Sequence, residues 1–82
     1  MSDNPVLERG DRGESVKQMQ QILNQMGYDL GSSGVDGLYD EETETAVKQF
    51  QSEMNQQFPE AHVLVDGKVG NQTWAFLHKN KS

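Results

Sequence analysis

Two stretches of the chain put the same residue types at the same spacing. Val35-Asp36-Gly37 is followed by Thr43, and Val65-Asp66-Gly67, thirty residues later, is followed by Thr73. Asp-Gly is a turn dipeptide, because glycine accepts positive φ and aspartate bonds nearby backbone amides. A turn that launches a helix leaves the first N–H groups of that helix unpaired, at the positive end of its dipole. The chemistry on offer is anion binding, and a carboxylate suits it. The two copies differ in what comes next. Asp40, Glu41 and Glu42 follow the first and would repel a foreign anion; neutral Gly70, Asn71 and Gln72 follow the second, with Lys68 just upstream. A carboxylate docking at either copy is expected at the second. The local alternative is that both turns are structural, which accounts for Asp36, Gly37, Thr43, Asp66, Gly67 and Thr73 without any ligand.

Other chemistries find little support. His62 and His78 have no cysteine or second histidine at ligand spacing, so no metal site is expected. The acidic stretch from Asp36 to Glu44 lacks the alternating oxygen ligands and the sixth-position glycine of a calcium loop. Glu41 and Glu42 are adjacent, so on a helix they diverge and do not flank one bond. No catalytic residue and no cofactor are expected.

Composition narrows the partners. Thirteen acidic against seven basic residues give a net charge of −6, a surface that repels phosphate backbones, so no nucleic-acid partner is expected. No apolar run reaches membrane-spanning length, and no membrane partner is expected. The opening MSDNPVLERG has no basic segment leading into an apolar one, hence no secretory signal in this stretch. That is compatible with a phage-encoded or delivered protein, or with a domain cut from a longer one. Eighty-two residues, 33% hydrophobic and without cysteine, are expected to form a single small domain and a monomer.

Three helices must carry these turns. Val16, Met19, Ile22, Leu23 and Met26 recur on one face of a helix over residues 14–26, with Asp11 and Glu14 placed as a capping box and Gly27 as its left-handed stop. A second helix is predicted over 41–54, with Asp40 as N-cap and Ala46, Val47, Phe50 and Met54 inward. A third starts near Asn71 and uses Trp74, Leu77 and Phe76, before a tail that frays over 78–82. Val35 and Val65, just before the turns, are candidates for brief strand pairing. The fold class is therefore all-α, a three-helix bundle of two pseudo-repeated Asp-Gly turn plus helix units, with at most very short strands. Its core spans about residues 7–77. The repeat is wider than the turns, since Val16-Lys17-Gln18-Met19-Gln20 returns as Val47-Lys48-Gln49-Phe50-Gln51.

The order GDRGESVKQMQQILNQMGY, then VDGLYDEETETAVKQFQ, then VDGKVGNQTWAFL resembles the peptidoglycan-binding domain found beside bacterial cell-wall hydrolases. The resemblance covers about residues 7–77. It implies a three-helix module that binds peptidoglycan or muropeptides without catalysis, acting at the cell wall or in the periplasm beside a hydrolase domain or another protein. The family's turn positions fall on Asp36, Gly37, Tyr39 and Thr43, then on Asp66, Gly67, Val69, Gly70, Thr73 and Trp74. Without Thr43, and with Lys68 and Asn71 added, these define the expected ligand-binding set, a shallow cleft between the turns and the start of the third helix. Tyr39 is expected as an exposed aromatic and Trp74 as half-buried with one edge available; these and Phe76 could stack on sugar rings, with core packing the weightier reading for Trp74 and Phe76. Two departures stand out: Asp40 where the family has glycine, and a longer link over 55–64. With the acidic surface, these favour the competing expectation of a docking or structural module on the same fold. The related inhibitory propeptides of metalloproteases use a cysteine that this chain lacks.

Overall fold

A computed structural model describes residues 6–32 and 34–80. α1 spans Glu14–Gln25, α2 Glu41–Gln57 and α3 Asn71–Asn80, with a short 3-10 helix at Pro59–Ala61 between the last two. The inward residues named from periodicity are the ones that pack together. Val16, Met19, Ile22 and Leu23 from α1 meet Ala46, Val47, Phe50 and Met54 from α2, and Trp74 and Leu77 from α3. Leu7, Leu30, Tyr39, Val63 and Val69 from the connections complete the core. Met26 and Phe76 are partly buried at its margin.

The helix ends separate what the chain does from what its pattern suggested. Gly27 stops α1 at φ 94, with its N–H donated to Asn24 and the Tyr28 N–H to Leu23, so these two carbonyls near the helix end are satisfied. The start of α1 is not a capping box. Gly13 is its N-cap, without a side-chain hydrogen bond, and Asp11 instead accepts from the Glu8 N–H at 2.9 Å. Asp40 does cap α2, accepting from the Thr43 N–H at 2.9 Å. Its φ of −102 is extended, so aspartate replaces glycine there without strain.

α2 outlasts its apolar pattern by three residues. Asn55, Gln56 and Gln57 are exposed and add nothing to a hydrophobic stripe, yet the helix continues until Pro59 bars the next turn. The tail, expected to fray from His78, is helical through Asn80, whose side chain donates to the Phe76 carbonyl at 2.8 Å. Lys81 and Ser82 lie outside the described residues.

Among the described residues there is no strand, only two isolated antiparallel bridges, Leu7 with Val69 and Arg12 with Leu38. Pairing thus falls after each turn rather than on Val35 and Val65 before it. The reason is the N-terminal segment. Residues 7–12 run past both turn exits and bond each in passing, through Leu7–Val69 and through the Gly10 and Asp11 bonds to Tyr39.

Candidate functional site

Each Asp-Gly turn is held by a glutamine from the preceding helix. Gln20 is fully buried, and its Oε1 accepts from the Asp36 N–H at 3.1 Å and the Gly37 N–H at 2.7 Å. Its Nε2 faces the Leu38 carbonyl at 2.8 Å, Thr43 Oγ1 at 3.0 Å and Asp36 Oδ1 at 3.2 Å. Gln51 repeats the arrangement. Its Oε1 accepts from Asp66 and Gly67 at 3.1 and 2.9 Å, and its Nε2 faces the Lys68 carbonyl, Thr73 Oγ1 and Asp66 Oδ1 at 2.7, 3.1 and 3.1 Å. Only an uncharged amide can accept from two backbone N–H groups on one side and donate on the other. Asp36 and Asp66 close the turns by accepting from the Leu38 and Lys68 N–H groups, both at 2.9 Å. Gly37 and Gly67 sit at φ 81 and 76, and a Cβ on Gly67 would press to 2.9 Å from the Glu44 side chain.

This network absorbs much of the expected ligand-binding set. Thr73, Gly37, Gly67 and Val69 are buried, as is Thr43 outside that set. Tyr39, expected to be exposed, is 2% exposed, and its hydroxyl donates to the Gly67 carbonyl, tying the first turn to the second. Burial first, then the charges of Glu44, Asp66, Asp11 and Glu8, raise its phenol well above the usual value. Trp74, expected to be half-buried, is also 2% exposed, with His78 stacked on it at 5.4 Å between ring centroids. Both rings lie inward because the N-terminal segment and α1 cover the sides that the linear pattern left open.

Among the described residues, the start of α3 stays open. Gly70 is half-buried and Asn71 and Gln72 are exposed. Gly70 stands where α2 has Asp40, and with no side chain it cannot cap the amides that follow. Three acidic residues occupy the first turn of α2 and none that of α3. Lys68 is exposed beside it, paired to Glu8 at 3.7 Å, a surface contact weak enough to be exchanged for another anion. Gln72 donates to the Ala61 carbonyl at 2.8 Å and pins the long link over α3. That link is a cover. Val63 enters the core, Phe58 stacks on Phe76 at 5.4 Å, and Lys79 lies 4.7 Å above the Phe58 ring.

The residues missed from sequence are Gln20 and Gln51. The signal was present, since both close the repeated pentapeptide and Gln20 falls with Val16 and Leu23 on the inward stripe of α1.

The comparisons agree with this architecture. The family model for the peptidoglycan binding domain matches residues 12–77. The SleB N-terminal domain has the same fold, with a TM-score of 0.80 at 31% identity, covering 98% of this chain and 97% of that one. The endolysin of Burkholderia phage AP3 is similar at TM-score 0.76 and 29% identity, over 95% of this chain and 26% of its own. In sequence, the chain is 38% identical to the type VI secretion system spike protein VgrG3 of Vibrio cholerae, over 83% of this chain. It is 36% identical to the N-acetylmuramoyl-L-alanine amidase CwlL of Bacillus licheniformis, over 88%. The chain spans only 7% and 18% of the length of those two relatives.

Proposed function

The chain belongs to the peptidoglycan-binding domain family, and from that membership we propose that it holds the wall at the start of α3, with a stem-peptide carboxylate on the Asn71 and Gln72 amides and Lys68 beside it. The observation that carries this location is the contrast between two otherwise matched units. The α2 start is closed by Asp40 and surrounded by acid, whereas the α3 start has glycine at the cap and no acid in its first turn. Backbone amides at a helix start favour an anion by their dipole, and a carboxylate there needs no side-chain ligand.

The module acts as a monomer at the wall and performs no catalysis of its own. Its service is to raise the local concentration of whatever it is joined to, for which weak binding at each of many sites is enough. Similarity to an amidase and to an endolysin supports a cell-wall enzyme as that companion; similarity to a secretion spike supports delivery as one route to the wall. Co-sedimentation with purified sacculi tests the function. Retention in the pellet at low salt is expected, and recovery of all the protein in the supernatant would overturn it.

A second reading, docking onto another protein, is favoured by the link before the second turn, where Leu64 and Val65 are 69% and 42% exposed. Replacing both with serine is expected to leave sacculus retention unchanged; if retention is lost, that surface rather than the α3 start holds the wall.

A further inference from the structure

Between α1 and α3 lies a concavity that the carboxylate site does not use, a cleft of about 270 Å3 lined by Gln18, Gln21, Ile22, Gln25, Trp74 and His78, with Glu14 at its rim. Gln18, Gln21 and Gln25 are spaced by three and four residues, so their amides form one row along the exposed side of α1. None of these amides bonds another described residue. The opposite wall is the exposed His78 ring, backed by the indole stacked on it. Ile22 supplies an apolar base.

The chemistry of this lining is specific in kind. Glutamine amides both donate and accept, as hydroxyl and acetamido groups require. The single formal charge at the rim is negative and no lysine or arginine lines the cleft, so an anion is disfavoured here. Its volume falls just below the roughly 300–1,000 Å3 typical of ligand pockets, room for one ring rather than a chain. A flat ring system beside an apolar base and a row of neutral amides suits a sugar, whose faces are apolar and whose rim is polar.

We propose that the α1–α3 cleft binds one N-acetylated sugar ring of the glycan strand, its apolar face towards Ile22 and His78 and its acetamido and hydroxyl groups on Gln18, Gln21 and Gln25. This rests on the wall-binding reading and adds a glycan subsite to it. The two sites are neighbours. Asn71, Trp74 and His78 are spaced by three and four residues on one face of α3, so the helix start and the cleft follow each other along that face. A sugar and the peptide it carries would engage the same side of one helix.

The test uses the whole chain and triacetylchitotriose, a probe with neither peptide nor carboxylate. In an NMR titration it is expected to shift the side-chain amides of Gln18, Gln21 and Gln25, the Trp74 indole and the His78 backbone. Exchanging the three glutamines together for alanine, which keeps the helix propensity high, removes those shifts and lowers sacculus retention about tenfold, the loss expected for a few weak hydrogen bonds. Wild-type retention on sacculi with no cleft shift from the probe, or with shifts only at Lys68–Asn71, would overturn the glycan subsite and leave wall binding standing. Cleft shifts without sacculus retention would support the subsite and overturn the wall-binding reading instead.

Discussion

Gln51 is buried with both ends of its amide in use, and the turn it holds is the one that launches α3. Replacing it with leucine leaves the Asp66 and Gly67 N–H groups and the Thr73 hydroxyl facing an apolar side chain. Each buried polar group stripped of its partner costs about 1–3 kcal/mol. The expected loss is roughly 2–4 kcal/mol by urea denaturation, and Gln20→Leu should cost about the same, because its bonds are the same. A loss below about 1 kcal/mol in both would mean the turns hold themselves. Tyr39 makes a prediction in pH. Its folded pKa is raised above the unfolded value of about 10, so the folded chain keeps a proton that the unfolded chain gives up. Stability is then complete below about pH 10 and falls as pH rises beyond it. Tyr39→Phe should flatten that alkaline decline, leaving the part due to Tyr28, whose phenol is raised by burial and by Glu53. A decline as steep as in the wild type would remove Tyr39 as its source. The glutamines were hard to recognise from sequence because glutamine is usually a surface residue. Their phase on the helix said otherwise, but only the turns packed against them reveal what an inward amide is for.

At the scale of elements, the two turn-helix units are the same device finished differently. Asp40 closes its helix with a side chain, and Asp40→Ala is expected to cost about 1 kcal/mol in thermal or urea unfolding. The helices themselves were legible, since inward residues recur at helical spacing in all three. Their ends were legible only where one residue decides the matter, as Gly27 and Asp40 do. α2 could not be followed past Met54 because Asn55, Gln56 and Gln57 carry no apolar signal. The capping box at Asp11 failed because Asp11 turns back to Glu8, leaving Gly13 to begin α1. The bridges moved to Leu38 and Val69 because the partner segment, residues 7–12, passes the exits of the turns and not their approaches. Nothing in local spacing encodes that path.

For the molecule as a whole, neither unit stands alone. The first turn reaches the second through the Tyr39 hydroxyl, and the N-terminal segment bonds both. The fold was therefore readable from spacing, because spacing is what sets each helix on the shared core, and the family from the resemblance of the whole motif order. The burial of Tyr39 and Trp74 was not, because exposure is decided only when all three helices and the N-terminal segment have met. Tyr39 was the leading candidate for sugar contact in the linear sequence and Trp74 a lesser one, read first as core; both are core. Among the described residues, the α3 start keeps glycine before it and no acid in its first turn, beside the amide-lined cleft.

Gly70→Asp tests the location of binding most directly. Gly70 does not have positive φ, and a Cβ there meets no atom within 4 Å, so aspartate fits where its counterpart Asp40 already caps α2. The account predicts a variant more stable by about 0.5–1 kcal/mol, from the gain of a cap over glycine and the dipole, whose retention on sacculi nonetheless falls about tenfold or more as its own carboxylate fills the site. A stabilised variant that binds sacculi as well as the wild type would contradict it.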